Sequence, residues 1–227
     1  MAYGRDNPTG FRPVAASVGD VAGQNSMRTA RIPSGYDQNL MLGDPVTLTV
    51  QGFLQKADVP TNNPVNTPPI IGYFGGCIFR DALGNLNQAK SWWPANTALY
   101  NGTYAQAFYY ANPYMQVEVQ FGSGAAAAAF TSNMIGDACN FAYSANAALL
   151  QNSLATGQSV AYIDTATVTN PNANGSNYLP FIIQGVSTNA QNPGPIGGVY
   201  PAQAYPQFIN VIVTANSAYL KGPAITA

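Results

Sequence analysis

The chain has 227 residues, 47% of them hydrophobic, which is enough for one substantial domain with a buried core. Only 7% of the residues are charged and the net charge is −1, without any lysine or arginine run, so nucleic acid is a poor candidate partner. No stretch approaches the ~18 uninterrupted apolar residues of a membrane-spanning helix, and we expect no membrane partner.

The first predicted element is an extended N-terminal arm over residues 1–31. It carries four arginines and two aspartates, a net charge of +2, whereas residues 32–227 carry a net charge of −3. Its apolar residues are isolated among Gly, Pro, Asn and Ser, so the segment cannot bury itself and is expected to lie along another surface. The opening MAYGRDNPTG lacks the apolar core of a signal peptide, and we therefore expect a protein made without passing the secretion pathway.

Residues 32–227 are predicted to form an all-β domain. The stretch LGDPVTLTV (42–50) marks its start, with Asp44 as a structural residue that caps a turn before a strand. Gly75-Gly76 predicts a bulge inside a buried strand, and Asn101-Gly102 predicts a tight turn. Strands are predicted within residues 69–79, 103–111, 114–121, 159–168, 178–186 and 206–215, and long loops within 58–69, 169–178 and 189–206.

The alanine-rich segment 123–153 differs from the rest of the chain. It has helical propensity for one or two short helices, but an alanine run also fits a tightly packed strand, and both alternatives stay open. The two cysteines, Cys77 and Cys139, are too few for a disulfide scaffold or a zinc site. Free, buried thiols are favoured over a single bridge between them.

Residues suited to catalysis are scarce in this sequence. Histidine is absent, Glu118 is the only glutamate, and the aspartates stand singly in turn-like contexts. We therefore expect no enzyme, no catalytic residue, no metal and no cofactor. Trp92-Trp93 is the one pair with ligand-binding potential, as a sugar-stacking surface. In the alternative interpretation, one tryptophan enters the core and its neighbour meets the surface or another subunit.

The order of several stretches resembles the capsid decoration, or cement, proteins of tailed bacteriophages. The resemblance covers most of the chain and is most specific over residues 7–120. The stretches that carry it are NPTGFRPV (7–14), RIPSGYDQNLMLGDPVTL (31–48), IGYFGGCIFRDALGN (71–85), WWPANT (92–97), NPYMQVEVQ (112–120) and, more loosely, FINVIVTANSAYL (208–220).

This resemblance implies a structural virion protein, made in the host cytoplasm, with a β-sandwich or jelly-roll-like domain. It would bind the outside of an icosahedral head, bridge major capsid protein subunits, and associate with itself as a dimer or trimer. Arm residues are the predicted capsid contacts: Arg5, Arg12, Arg28 and Arg31 for acidic groups, and Phe11 and Pro13 for apolar pockets. Deletion of residues 2–30 is expected to leave a folded domain that no longer binds heads.

Two other functions compete with this one. A glycan-binding head-fibre or tail-fibre (adhesin) module would use Trp92 and Trp93, and an ordinary secreted β protein would have a similar neutral, polar surface. The low charge content suits a protein packed against neighbours, because few charges keep copies apart.

Overall fold

The computed structural model describes residues 6–14, 27–60, 69–111, 115–124, 127–171, 179–188, 195–198 and 203–216. Within them the chain forms twelve strands and one α-helix. The elements are β1 (Arg12–Pro13), β2 (Met27–Pro33), β3 (Pro45–Leu48), β4 (Leu54–Lys56), β5 (Gly72–Arg80), β6 (Leu86–Lys90), β7 (Tyr104–Tyr110), β8 (Val117–Gln120), β9 (Ala138–Tyr143), α1 (Ala147–Thr156), β10 (Ala161–Thr169), β11 (Phe181–Val186) and β12 (Asn210–Ala215).

The strands form two antiparallel six-stranded sheets, which confirms the predicted all-β, sandwich-like fold. Sheet A has the strand order β1-β8-β12-β11-β9-β10. Sheet B has the order β2-β7-β5-β3-β4, and β6 pairs with β5. Two short 3-10 turns, Tyr100–Gly102 and Ser132–Met134, interrupt the connections.

Both sheets curl. In sheet B the two edge strands β2 and β4 approach each other, and in sheet A the edge strand β10 approaches β8, the neighbour of the other edge strand β1. In sheet B, Arg31 of β2 forms an isolated bridge with Phe53 beside β4, and in sheet A, Phe121 beside β8 does so with Ile163 of β10. Two apolar clusters result. Core A includes Phe11, Tyr73, Val117, Phe121, Phe141, Ile163, Phe181 and Val213. Core B includes Ile32, Val46, Leu54, Phe74, Cys77, Phe79, Trp93 and Ala105.

Strand β5 lies between the two cores, which explains why its sequence is apolar on both faces. Tyr73 packs in core A and Phe74 in core B. The bulge predicted at the adjacent glycines is confirmed, because the register with β7 shifts between Phe74 and Gly76. Gly76 has φ +121°, and a Cβ there would lie 2.7 Å from the carbonyl oxygen of Lys90. Only glycine fits this position without a shift of backbone.

The strand predicted over 114–121 is confirmed as β8, Val117–Gln120, by burial as well as by pairing, and Tyr114 lies outside the described residues. Met115, Val117, Val119 and Phe121 are all buried in core A, as their alternation indicates. The aromatic stretch 103–111 forms β7, and the turn before it has Asn101 at φ 52° and Gly102 at φ 65°.

The N-terminal segment differs from the predicted arm. Its described parts, residues 6–14 and 27–31, are integrated into the domain: β1 pairs with β8 in sheet A, and β2 is an edge strand of sheet B. The predicted domain boundary at residue 31 therefore falls inside a strand. Residues 1–5 and 15–26 lie outside the described residues. Deletion of residues 2–30 would remove β1 and the first four residues of β2, so a folded remainder is no longer the expected result.

Phe11 corrects the arm prediction most directly. It is 1% exposed and packs in core A, with its ring centroid 5.1 Å from that of Tyr73 and 4.8 Å from that of Phe181. Its backbone N–H also donates a hydrogen bond to the carbonyl oxygen of Gly43 (2.9 Å). An isolated aromatic residue in a polar segment anchors that segment to its own domain here, and is not free to fill a pocket on a partner.

The alanine-rich segment contains both of the structures left open. Residues 138–143 form β9, whereas a helix begins only at Ala147 and extends beyond the segment to Thr156. Asn146 caps this helix by accepting a hydrogen bond from the backbone N–H of Ala148 (3.0 Å), and Gly157, at φ 72°, ends it. The prediction of free, buried cysteines is confirmed for both residues.

Candidate functional site

The predicted arginines of the second part of the arm lie on strand β2. Arg28 and Arg31 are both exposed there. The Arg31 guanidinium lies over the ring of Tyr104, 5.4 Å from its centroid, and this ring in turn stacks on Phe53, with centroids 5.3 Å apart. Within the described residues, neither arginine forms a salt bridge, since the only such pair is Lys56–Asp44. The result is an exposed cation beside two aromatic rings.

Local backbone structure fixes the position of these rings. The hairpin turn between β3 and β4 is closed by Thr49, whose N–H donates to the Phe53 carbonyl (2.8 Å) and whose hydroxyl accepts from the Phe53 N–H (3.1 Å). Gly52, at φ 79°, permits the tight turn. Tyr104 begins β7 and pairs with Pro33 of β2, which brings it alongside Arg31.

A surface groove of about 890 Å³ lies where β2 and β7 face the β3–β4 hairpin, and we call it the β2 groove. Arg31 is the only charged residue among those that line it, and no described carboxylate does so. Its other lining residues are Thr29, Ala30, Leu48, Gln51, Gly52, Phe53, Tyr104, Ala105, Gln106 and Tyr109. This surface combines one cation, aromatic rings and amide side chains.

The other predicted capsid contacts are separated from this groove. Arg12 and Pro13 are exposed on β1, in the other sheet, where Arg12 pairs in register with Glu118. Arg5 lies outside the described residues. The predicted set therefore does not form one continuous site. It comprises the β2 surface, an exposed pair on β1, and Phe11, which is a core residue.

The tryptophan pair does not form a sugar-stacking surface. Trp93 is fully buried in core B, in an edge-to-face contact with Phe79 at 5.2 Å, and its backbone pairs with Leu40. Trp92 is half-buried, and its indole lies against Gly157, where an added Cβ would be 2.8 Å from the ring. The alternative interpretation, one tryptophan in the core and one near the surface, is confirmed.

Asp44 occupies a polar cluster buried where the N-terminal segment meets the domain. It is fully buried, accepts a hydrogen bond from the Met41 N–H (2.9 Å) and from the Ser159 hydroxyl, and lies 3.4 Å from Lys56 Nζ. Lys56 Nζ also lies 4.0 Å from the ring centroid of Tyr143. The prediction of Asp44 as a structural residue is confirmed, and the structure adds its long-range partners.

Burial controls the ionisation of this cluster. It raises the pKa of Asp44, although Lys56, the Ser159 hydroxyl and the Met41 N–H oppose the rise by stabilising the carboxylate. Burial also raises the pKa of Tyr36 to about 12. The Tyr36 hydroxyl accepts a hydrogen bond from the backbone N–H of Lys56 (2.9 Å). Each oxygen of the Asp44 carboxylate has a protein partner, so Asp44 ties together residues that are distant in the sequence.

No group of three or more Cys, Asp or Glu side chains in the described part of the chain has the arrangement of a metal site. No helix within the described ranges is long and apolar enough to cross a membrane.

Sequence reasoning identified Arg31 but missed Tyr104 and Phe53. The alternation in β7 carried a usable signal, because the small Ala105 and Ala107 face the core while Tyr104 and Gln106 face outward. Phe53 had no comparable signal, since its position depends on the curl of sheet B.

No protein-family model matches this chain, and comparison with curated proteins and with solved structures finds no match.

Proposed function

We propose that this protein is a non-enzymatic structural component of a tailed-phage virion that binds the outer surface of the icosahedral head. It bridges neighbouring subunits of the major capsid protein and reinforces the shell, as the sequence resemblance implies. Made in the host cytoplasm, it associates with itself as a dimer or trimer. Many copies act together on one shell, so that each contact can be weak while the assembly holds firmly.

The observation that carries the proposal is the exposure of the two arginines on strand β2. In a chain with only eight lysines and arginines, Arg28 and Arg31 are both exposed on one edge strand without a described carboxylate partner, and exposed Tyr104 lies beside Arg31. Their spacing places the two arginines on opposite faces of that strand. Arginine and aromatic residues are the side chains most enriched at the centres of protein interfaces. An exposed strand edge is also a site at which another chain can pair.

The glycan-binding alternative loses its main support with the burial of Trp93. A single half-buried Trp92 packed against a helix end offers little ring surface to a sugar. The proposal also changes in one respect from the sequence-based expectation: the basic residues act from a strand of a rigid sheet rather than from a free arm. Rigid presentation lowers the entropy lost on binding.

The proposal is tested with phage heads assembled without this protein. Purified protein is added to the heads, which are sedimented and imaged by cryo-electron microscopy. Density on the outer face of the head, absent from heads without added protein, is the expected result. If the protein stays in the supernatant at concentrations that saturate a known head protein, or if it decorates only the tail, the proposal is wrong.

A further inference from the structure

We infer that the β2 groove binds an extended acidic segment of the partner protein, with a carboxylate of that segment paired to Arg31 and an apolar side chain packed beside Tyr104 and Phe53. The inference deepens the proposed function and rests on it, because the partner is taken to be the major capsid protein. It specifies where on this chain the contact forms and which chemistry of the partner it selects.

Arg31 is already held in place for a carboxylate. Its guanidinium lies over the Tyr104 ring at 5.4 Å, which limits its freedom before a ligand arrives, and no described acid neutralises it. A guanidinium presents a planar fork of N–H donors that matches the two oxygens of a carboxylate. Charge complementarity therefore favours a negative group in the occupant.

The walls of the groove favour a polypeptide. The Phe53 and Tyr104 rings stack at an interplanar angle of 29°, and Tyr104 is 51% exposed, so an apolar side chain can cover it. Gln51 and Gln106 are exposed amides in the same lining and can bond to a peptide backbone. A volume of about 890 Å³ is within the range of specific binding pockets.

The edge of β2 adds a second means of holding an extended segment. Only Arg31 of this strand bridges to the β4 side, at Phe53, and no other described strand pairs with that edge between residues 27 and 30. The backbone N–H and C=O groups on this edge of β2 can therefore pair with an added strand, as in β-strand addition. A neutral glycan can accept hydrogen bonds from Arg31 but brings no counter-charge. Nucleic acid binding requires several phosphate contacts, whereas Arg31 is the one cation among the described residues that line the groove.

The test combines substitution with crosslinking on heads assembled without this protein. Arg31→Ala should lower the affinity for heads by about tenfold or more, the loss expected for a hydrogen-bonded ion pair. Arg31→Lys should retain part of that affinity. Arg80→Ala is the matched control, because Arg80 is exposed and its guanidinium donates to the Gly84 carbonyl in the same hairpin (3.0 Å). Thermal unfolding of each variant verifies that it is folded.

A photo-reactive benzoylphenylalanine at position 106 then identifies the occupant. Crosslinks to a capsid-protein peptide that contains Asp or Glu are the expected result. Equal binding by wild type and Arg31→Ala overturns the inference while the proposed function stands. Crosslinks to a glycan, or to residues 15–26 of the same chain, overturn it as well. Wild-type protein that does not bind heads at all instead overturns the proposed function, so the two failures are distinguishable.

Discussion

Replacement of Phe11 by alanine separates the two roles that this residue has been given. If Phe11 is a core residue, Phe11→Ala should destabilise the domain. If it belongs to a free arm that fills a pocket on a partner, the same change should leave stability unaltered and weaken only partner binding. The side chain is 1% exposed and its ring contacts those of Tyr73, Phe141 and Phe181.

The expected magnitude follows from burial. Truncation of a buried phenylalanine to alanine costs about 3–5 kcal/mol, because apolar contacts are lost and a cavity remains. The loss of a stacked contact with Tyr73 at 5.1 Å and a tilted contact with Phe181 at 4.8 Å supports the upper part of that range. Since whole domains are stable by only about 5–15 kcal/mol, the variant should be folded but marginal at 25 °C.

Urea unfolding followed by tryptophan fluorescence measures this cost, since buried Trp93 reports on core B. With a slope of about 3 kcal/mol per molar urea, a loss of about 4 kcal/mol lowers the midpoint by about 1.3 M. Arg12→Ala is the neighbouring control, because Arg12 is exposed and its truncation should change stability by no more than about 0.5 kcal/mol. A Phe11→Ala midpoint within about 0.2 M of wild type would refute the core assignment and restore the arm.

Three further predictions concern the buried junction and the thiols. Burial raises the pKa of Asp44 above 3.8. Between about pH 4 and that raised pKa, the folded state therefore keeps a proton on Asp44 that the unfolded chain has released. The free energy of unfolding of wild type relative to Asp44→Asn should therefore fall as pH rises from about 4 through the raised pKa, and urea titrations at several pH values measure this slope. Gly43→Ala should destabilise the domain by about 2 kcal/mol or more in the same assay, because φ is +85° and the new Cβ would lie 2.9 Å from the Phe11 carbonyl oxygen. Gly35→Ala is its control: φ is +76° but no atom lies within 4 Å, so this change should cost only the conformational strain of about 1 kcal/mol. Both cysteines are buried with raised thiol pKa values, so DTNB should react with neither in the native protein and with both in guanidinium chloride; rapid reaction of the native protein would contradict their placement.

The sequence predicted best where one short stretch determines its own structure. Alternation over 115–121 identified the buried face of β8, and adjacent glycines identified the bulge in β5, because both depend on local geometry. Asp44 was recognised as a turn residue for the same reason, and in the structure its carboxylate accepts a hydrogen bond from the Met41 N–H within that turn.

Contacts between distant segments were not readable from the sequence. Phe11 and Phe181 are separated by most of the chain, and nothing in a polar segment with isolated apolar residues indicates that such a ring enters the core. Strand β2 was missed because only Ile32 of its seven residues is buried, so it lacks the apolar alternation of a strand with a buried face. The β2 groove depends on how sheet B curls, and this brings Phe53 beside Arg31 through a bridge that no local pattern encodes.

The placement of β2 also determines how the domain would carry load from a partner bound there. All seven residues from Met27 to Pro33 pair with β7, and β7 pairs with β5, whose residues pack in both cores. A pull on a partner bound at β2 along the strand direction would load these paired positions together rather than one at a time. The preceding segment is tied to sheet A through β1 and Phe11, so the same chain is anchored in both sheets on either side of residues 15–26. A free arm transmits tension only at its attachment point, whereas a binding strand built into a sheet distributes it over the domain.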